Sequence, residues 1–293
     1  MKSNVHEPAK MQQAQHSARR VATSHWVTMF ARLGYAAKGV VYLIIGALAV
    51  ELAAGRGGAA TDQRGALRTI YEQPFGKFLL IIVAIGLIFF ALWSFIQALF
   101  DTEGKGKDAK GILSRIGYAA IGISYGLLGI GSLQLALGTG NGGQNSTSSA
   151  QDWTGKILHY PAGIFLVVLI GLIVLGVAGY MFYRAYSANF KKKLALQEMN
   201  GQVRKWGVYL GRFGYAAMGV VFAIVGLFLI IAAVQHNPSD AKGLDSALQV
   251  VLHQPFGPIL LAIIALGLFA YGVYSFVEAR YRRMAGQQFG MNA

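Results

Sequence analysis

Residues 32–39, Arg32-Leu-Gly-Tyr-Ala-Ala-Lys-Gly39, decide the fold. Nearly the same eight recur as Arg115-Ile-Gly-Tyr-Ala-Ala-Ile-Gly122 and Arg212-Phe-Gly-Tyr-Ala-Ala-Met-Gly219. Each copy opens a long apolar run. A hydrocarbon layer about 30 Å thick needs 18 or more such residues at about 1.5 Å per residue. Six runs qualify, at 33–53, 78–100, 116–137, 161–183, 213–234 and 256–277. Backbone polar groups in lipid must be satisfied within the segment, and the alternating short strands of a barrel are missing, so the runs are read as helices. The expected class is an all-α integral membrane protein with six transmembrane helices.

Composition agrees: 55% of residues are apolar and 13% charged, against about 25% charged in soluble domains. Residues 1–27 are polar and basic and do not resemble a signal peptide, so the first helix is expected to be retained. The chain has no cysteine, which excludes disulfides, thiolate metal sites and a cysteine nucleophile.

Outward from the motif, the second half of each unit also repeats. Gln73-Pro74-Phe75-Gly76 is echoed by Tyr160-Pro161-Ala162-Gly163 and Gln254-Pro255-Phe256-Gly257. Trp93-Ser94-Phe95 is echoed by Tyr180-Met181-Phe182 and Tyr274-Ser275-Phe276. Each unit is therefore a helical hairpin. The repeats are set at 28–101, 111–190 and 204–284, between tails at 1–27 and 285–293. An even number of spans per unit gives all three the same orientation, which suits an axis along the membrane normal. A pseudo-threefold bundle is the simplest arrangement, and the sequence leaves open whether it closes.

The net charge is +14, and its placement argues against nucleic acid. Nineteen of the 26 Lys and Arg lie on the side of the N-terminus, six on the opposite side and Lys38 within the first span. That is the positive-inside pattern, and it sets both termini in the cytoplasm. Lys191-Lys192-Lys193, with Arg204 and Lys205, would attract anionic lipid headgroups. Lys38 is expected to snorkel to the cytoplasmic side.

Within the opening helix, Arg32, Tyr35, Gly39, Tyr42 and Gly46 fall on one stripe, as do Arg115, Tyr118, Gly122, Tyr125 and Gly129, and Arg212, Tyr215, Gly219, Phe222 and Gly226. Small residues let helices approach in lipid. Gly34, Gly117 and Gly214 complete the motif. The stripe is read as a helix interface with each ring over a glycine notch, and a ligand-lined groove is the alternative. The arginines read first as interfacial anchors; bonding to the end of the hairpin partner, where Gln97, Arg184 and Glu278 align, is the alternative.

Before each proline lies an outer-loop segment. Leu244, Ala247, Leu248, Val251 and Leu252 follow helical spacing, and Ala66, Leu67, Ile70 and Tyr71 give a shorter version. These are expected to be interfacial helices, with Pro74, Pro161 and Pro255 starting the next spans. Asn141 to Ser149 is expected to be a flexible loop. Two residues before the prolines stand Glu72, His159 and His253, one carboxylate and two imidazoles that would suit a divalent metal if a threefold arrangement brought them together. Solvated interface residues are the preferred reading. No cofactor and no enzymatic motif are expected.

The RxGYAAxG helix, the QPFG turn and three tandem two-helix units resemble the bacterial membrane family called domain of unknown function 1206, from about residue 26 to 284. The resemblance implies a six-span protein of the bacterial inner membrane and brings no activity with it. A structural or accessory bundle that binds lipid or a membrane-protein partner is the expected function. A small-solute or ion pathway along the repeat axis is the alternative.

Overall fold

A computed structural model of the protein describes residues 25–100, 106, 108–140 and 145–283. It is all-helical apart from one isolated bridge between Leu194 and Arg282. Repeat 1 contains α1 (His25–Ala53), α2 (Gln63–Tyr71) and α3 (Gly76–Phe100); repeat 2 contains α4 (Ala109–Leu137), α5 (Ser146–Leu158) and α6 (Gly163–Ser187). Repeat 3 contains α7 (Gly201–Val234), α8 (Leu244–Leu252) and α9 (Gly257–Tyr281). The six long helices are all apolar enough to cross a membrane. Of the expected tails 1–27 and 285–293, residues 25–27 belong to α1, and 1–24 and 285–293 lie outside the described residues.

The helices that open repeats 2 and 3 start well before the apolar run does, because polar residues cap them. Asp108 accepts from Gly111 N at 3.1 Å and Asn200 from Val203 N at 2.8 Å, and each satisfies an otherwise orphaned helical donor. At the other end the prolines stand in turns rather than at the start of a span. Gly76 N donates to Gln73 O at 2.7 Å, Gly163 N to Tyr160 O at 2.8 Å and Gly257 N to Gln254 O at 2.7 Å, so each proline occupies the second position of a β-turn. Phe75 and Phe256 take φ of 61° and 60° there, whereas Ala162 has φ −94°. The glycine that follows is required in all three, since a Cβ on it would collide with carbonyls of the preceding outer helix.

The helices form an incomplete ring in the order α4, α3, α1, α9, α7, α6. The first and last repeats meet along α1 and α9, which closes the chain on itself. Repeats 1 and 3 are packed hairpins. In the middle repeat α4 and α6 barely touch, and only 28% and 17% of their apolar windows are buried, against 44–56% for the other four.

Glycines explain both outcomes. A Cβ on Gly34 would stand 2.7 Å from the Phe90 backbone, and one on Gly214 2.7 Å from the Tyr271 backbone, so these glycines admit the hairpin partner. Their equivalent in the middle repeat, Gly117, has nothing within 4 Å. On the partner helices Gly86 and Gly267 meet Ala37 and Ala217. The aligned residue of α6 is Ile173, 58% exposed, and its branched side chain prevents that approach.

The second glycine of the motif receives a ring, but not one from its own helix. Gly39 faces Phe276, Gly122 faces Phe95 and Gly219 faces Phe182. Each phenylalanine comes from the preceding repeat, and the last repeat supplies the first. The notches are therefore joints between repeats, and the motif tyrosines are left to face elsewhere.

The outer segments are helices, and α5 includes Ser146 to Ser149, part of the expected flexible loop; residues 141–144 lie outside the described residues. Their N-termini meet at the Pro end. Thr147 Oγ1 accepts from Gly243 N at 2.8 Å and Ser146 Oγ from Leu244 N at 2.9 Å, capping α8 from a different element. Asp245 reciprocates, accepting from Ser146 Oγ at 2.8 Å and Thr147 Oγ1 at 2.6 Å. The Asp62 carboxylate accepts from both Gly65 N and Ser146 N, joining α2 to the same knot.

Candidate functional site

The motif arginines lie at the opposite end, the motif end. Arg115 Nε donates to Ala98 O at 2.6 Å and its Nη2 to Leu99 O at 3.0 Å. Arg212 does the same to Ala185 O at 3.0 Å and Tyr186 O at 2.6 Å. They bond the last carbonyls of the second helix of the preceding repeat, where a cation complements both the unpaired oxygens and the helix dipole. The anchor reading is corrected to an inter-repeat clasp, and Gln97, Arg184 and Glu278 are not its acceptors. Arg32 departs from the pattern: its Nε is buried without a hydrogen-bond partner.

The motif tyrosines surround a buried cluster of charge. Glu278, in the last turn of α9, is 2% exposed. Its Oε1 accepts from Arg282 Nη1 at 2.7 Å, and its Oε2 lies 3.6 Å from Lys38 Nζ. Lys38 is itself only 5% exposed, so it does not snorkel. It is held across the α1–α9 seam by the carboxylate and by the faces of Tyr271 (4.7 Å), Phe90 (5.4 Å) and Tyr35 (5.5 Å). Burying an ammonium is costly without such partners.

Each motif tyrosine carries a cation from a different element. Arg282 lies 4.9 Å from the Tyr35 ring and Arg184, from α6, 4.0 Å from Tyr215. Lys193 lies 5.6 Å from Tyr118, on α4, and donates to its hydroxyl at 2.8 Å. Lys193 therefore turns inward, unlike the lipid-facing role expected of its run. Two cations meet the carboxylate directly, and α4 and α6 bring Tyr118 and Arg184 to the surrounding aromatic residues although they do not pack on each other.

The linker between repeats 2 and 3 covers the cluster at the motif end. Phe190 is buried between Tyr215 (5.3 Å) and Tyr274 (5.2 Å), over Gly211. The chain then pairs with the end of α9, through Ala195 N to Tyr281 O at 2.8 Å and Arg283 N to Lys193 O at 2.9 Å. Toward the Pro end, Tyr42 packs edge-on against Tyr271 at 4.9 Å, and its hydroxyl accepts from Gln63 Nε2 at 3.2 Å.

Glu72, His159 and His253 end up as the C-terminal caps of α2, α5 and α8. Glu72 accepts from Arg68 Nε at 3.1 Å, and His253 Nδ1 lies 2.8 Å from Gln249 O. They do not converge, and no other group of three or more His, Cys, Asp or Glu is placed to hold a metal among the described residues. The cation cluster was missed because its members come from α1, α6, the linker and α9. The in-chain signals were Lys38 where the other repeats have Ile121 and Met218, and Glu278 where they have Gln97 and Arg184.

The comparisons with known proteins follow the same triplication. An uncharacterized protein of Bacillus subtilis (strain 168), YxxB, is 36% identical over 266 residues, which cover 91% of this chain and 95% of the relative. No solved structure matches. The profile of the family described as Domain of Unknown Function (DUF1206) matches three times, at 33–101, 116–188 and 213–282, each match beginning one residue after a motif arginine. The chain is a multi-pass membrane protein and belongs to the DUF1206 family.

Proposed function

We propose that this protein is a non-catalytic, lipid-binding bundle of the bacterial plasma membrane, with both termini in the cytoplasm and its middle repeat serving as a lateral port. The observation that carries this reading is the separation of α4 from α6 in a ring otherwise continuous. Ile173 stands where the other repeats have Gly86 and Gly267, and the notch at Gly117 is vacant. The knot at Ser146 and Thr147 fixes their connecting helix at the Pro end. An acyl chain lying in that gap would restore the contacts that Gly34 and Gly214 make in the other repeats. The basic residues at the motif end suit anionic headgroups on the cytoplasmic side.

Extraction into native lipid discs, exchange into detergent and mass spectrometry of the intact complex test the reading. The expected result is a retained lipid, present in lower yield in Ile173→Gly, which restores the hairpin glycine and lets α4 approach α6. Complete loss of lipid from the wild-type chain on mild exchange would overturn it. A membrane-protein partner that fills the same gap would appear as a stoichiometric protein in the same spectrum.

A second reading, a small-solute or ion pathway, draws on the polar groups along the axis, from Gln63 and Tyr42 to Lys38 and Glu278. Packed rings of Tyr215, Tyr271, Tyr274 and Phe190 interrupt that line. Uptake into proteoliposomes that is abolished by Glu278→Gln would favour the pathway instead.

A further inference from the structure

The gap between α4 and α6 is bridged differently at its two ends. At the Pro end the chain itself crosses it, because α5 connects the two helices. That crossing is pinned by several bonds. Thr147 Oγ1 accepts from Gly243 N in a buried contact, Ser146 Oγ accepts from Leu244 N, and Asp62, itself 2% exposed, accepts from Ser146 N. At the motif end the covalent connections run away from each other, since α4 is joined to α3 and α6 to α7. What reaches across there is a side chain: Lys193 Nζ donates to the hydroxyl of Tyr118, on α4, at 2.8 Å.

The linker presents that side chain from a fixed backbone. Ala188, in the left-handed region at φ 49°, turns the chain off the end of α6. Phe190 is then buried between Tyr215 and Tyr274, and the Lys193 carbonyl accepts from Arg283 N at 2.9 Å, just beyond the end of α9. On the other side, Tyr118 lies about one turn inward of Arg115, whose bonds to Ala98 O and Leu99 O hold that end of α4 to α3. The two residues are thus anchored independently, and the bond between them is only part-buried. Water competes for a bond of that kind, so its net strength is modest. Opening the Pro end would break several bonds, one of them buried, and the motif end is therefore the end that opens.

We propose that lipid enters and leaves the gap between α4 and α6 from the leaflet at the motif end, and that the Lys193–Tyr118 bond is the latch that sets its rate of exchange. The proposal rests on the lateral port described above and adds a direction and a control to it. With the latch made, the linker and α4 close the mouth of the gap. With it broken, the Lys193 side chain swings aside while the backbone pairing of the linker with α9 stays in place. An acyl chain then passes Tyr118 and reaches the vacant notch at Gly117 and the exposed Ile173. A latch of this kind changes the rates of loading and release together and leaves the amount bound at equilibrium unaltered.

The test uses proteoliposomes of the full chain, sorted by orientation, with a phosphatidylglycerol carrying a photoreactive acyl chain added to the outer leaflet. Adducts are mapped by mass spectrometry after illumination at successive times. With the motif end outward, adducts near Gly117 and Ile173 should form promptly; with the Pro end outward, they should wait for transfer of the probe between leaflets. Tyr118→Phe keeps the ring and removes the hydroxyl. It should speed loading by about tenfold, the effect of one hydrogen bond from a charged donor, with the same yield at saturation. Faster loading with a lower final yield would mean that the bond holds the fold together, and would overturn the latch. The double variant Tyr118→Cys, Lys193→Cys, joined by a bismaleimide in a chain with no other cysteine, keeps the mouth shut without the bond. It should not load when joined and should load like Tyr118→Phe when unjoined. Loading of the joined chain at the wild-type rate would also overturn the latch. Equal rates from the two leaflets would overturn the direction and leave the port standing, whereas adducts nowhere in the gap from either leaflet would overturn the port itself.

Discussion

Lys38 and Glu278 show how far a residue's meaning depends on what the fold brings to it. Read along its own helix, Lys38 is a lone charge two turns from a helix mouth, and snorkelling is the natural expectation. In the folded chain it is sealed by three aromatic faces and a carboxylate from the other end of the sequence. Removing that carboxylate leaves two buried cations without their counter-charge. Glu278→Gln is therefore expected to cost about 3–5 kcal/mol, read as a fall in thermal stability in detergent. The glycines give a second test at this scale. Gly219→Leu drives a side chain into Phe182 and should destabilise by about 1–3 kcal/mol, whereas Gly117→Leu meets open space and should be nearly neutral. Equal effects would remove the assignment of the notches. That the motif codes for packing was legible in its spacing. That the ring in each notch belongs to the preceding repeat was not, because spacing along one helix carries no information about which neighbour lies across from it.

At the scale of elements, the six spans and two of the three outer helices were legible from apolar run length and from helical spacing in 66–71 and 244–252. Two elements were not. α5 was obscured by its run of Ser, Thr and Gly, residues that favour turns when nothing else engages them. Here Asn145 caps the helix, accepting from Ser148 N at 2.8 Å, and Ser146 and Thr147 are held by Asp245 and Asp62. Asp245→Asn weakens the acceptor at the centre of that knot. A fall in thermal stability of about 1–2 kcal/mol is expected, the size of a charge-assisted cap. The 188–200 linker was read as a basic surface loop because three lysines dominate its composition. Phe190, the residue before them, decides its position instead. Phe190→Ala empties the space between Tyr215, Tyr274 and Gly211 and should cost about 3–5 kcal/mol. It should also make the motif end accessible to water-soluble thiol reagents at a single cysteine introduced at Ala195, a clean probe in a chain with no other cysteine. Unaltered labelling would refute the covering role.

At the scale of the molecule, a parallel triplication was legible and its closure was not, since nothing in three like units says whether the third returns to the first. The α1–α9 seam provides the return, through Phe276 on Gly39 and Glu278 beside Lys38. The middle repeat departs from the pattern of the other two. That departure was present in the sequence as Ile173 opposite Gly86 and Gly267, and it becomes readable only once those glycines are known to seat Ala37 and Ala217.

The seam also orders the events of synthesis. Lys38 leaves the ribosome 240 residues before Glu278, and a lone lysine carried into a span costs up to about 2.5–3.5 kcal/mol on insertion scales. The first helix must therefore wait, shallow or shielded, until the last one is made. A nascent chain arrested before residue 278 should leave α1 extractable by alkali, while the full chain resists it. The carboxylate of the last helix thus also determines when the first is finally installed.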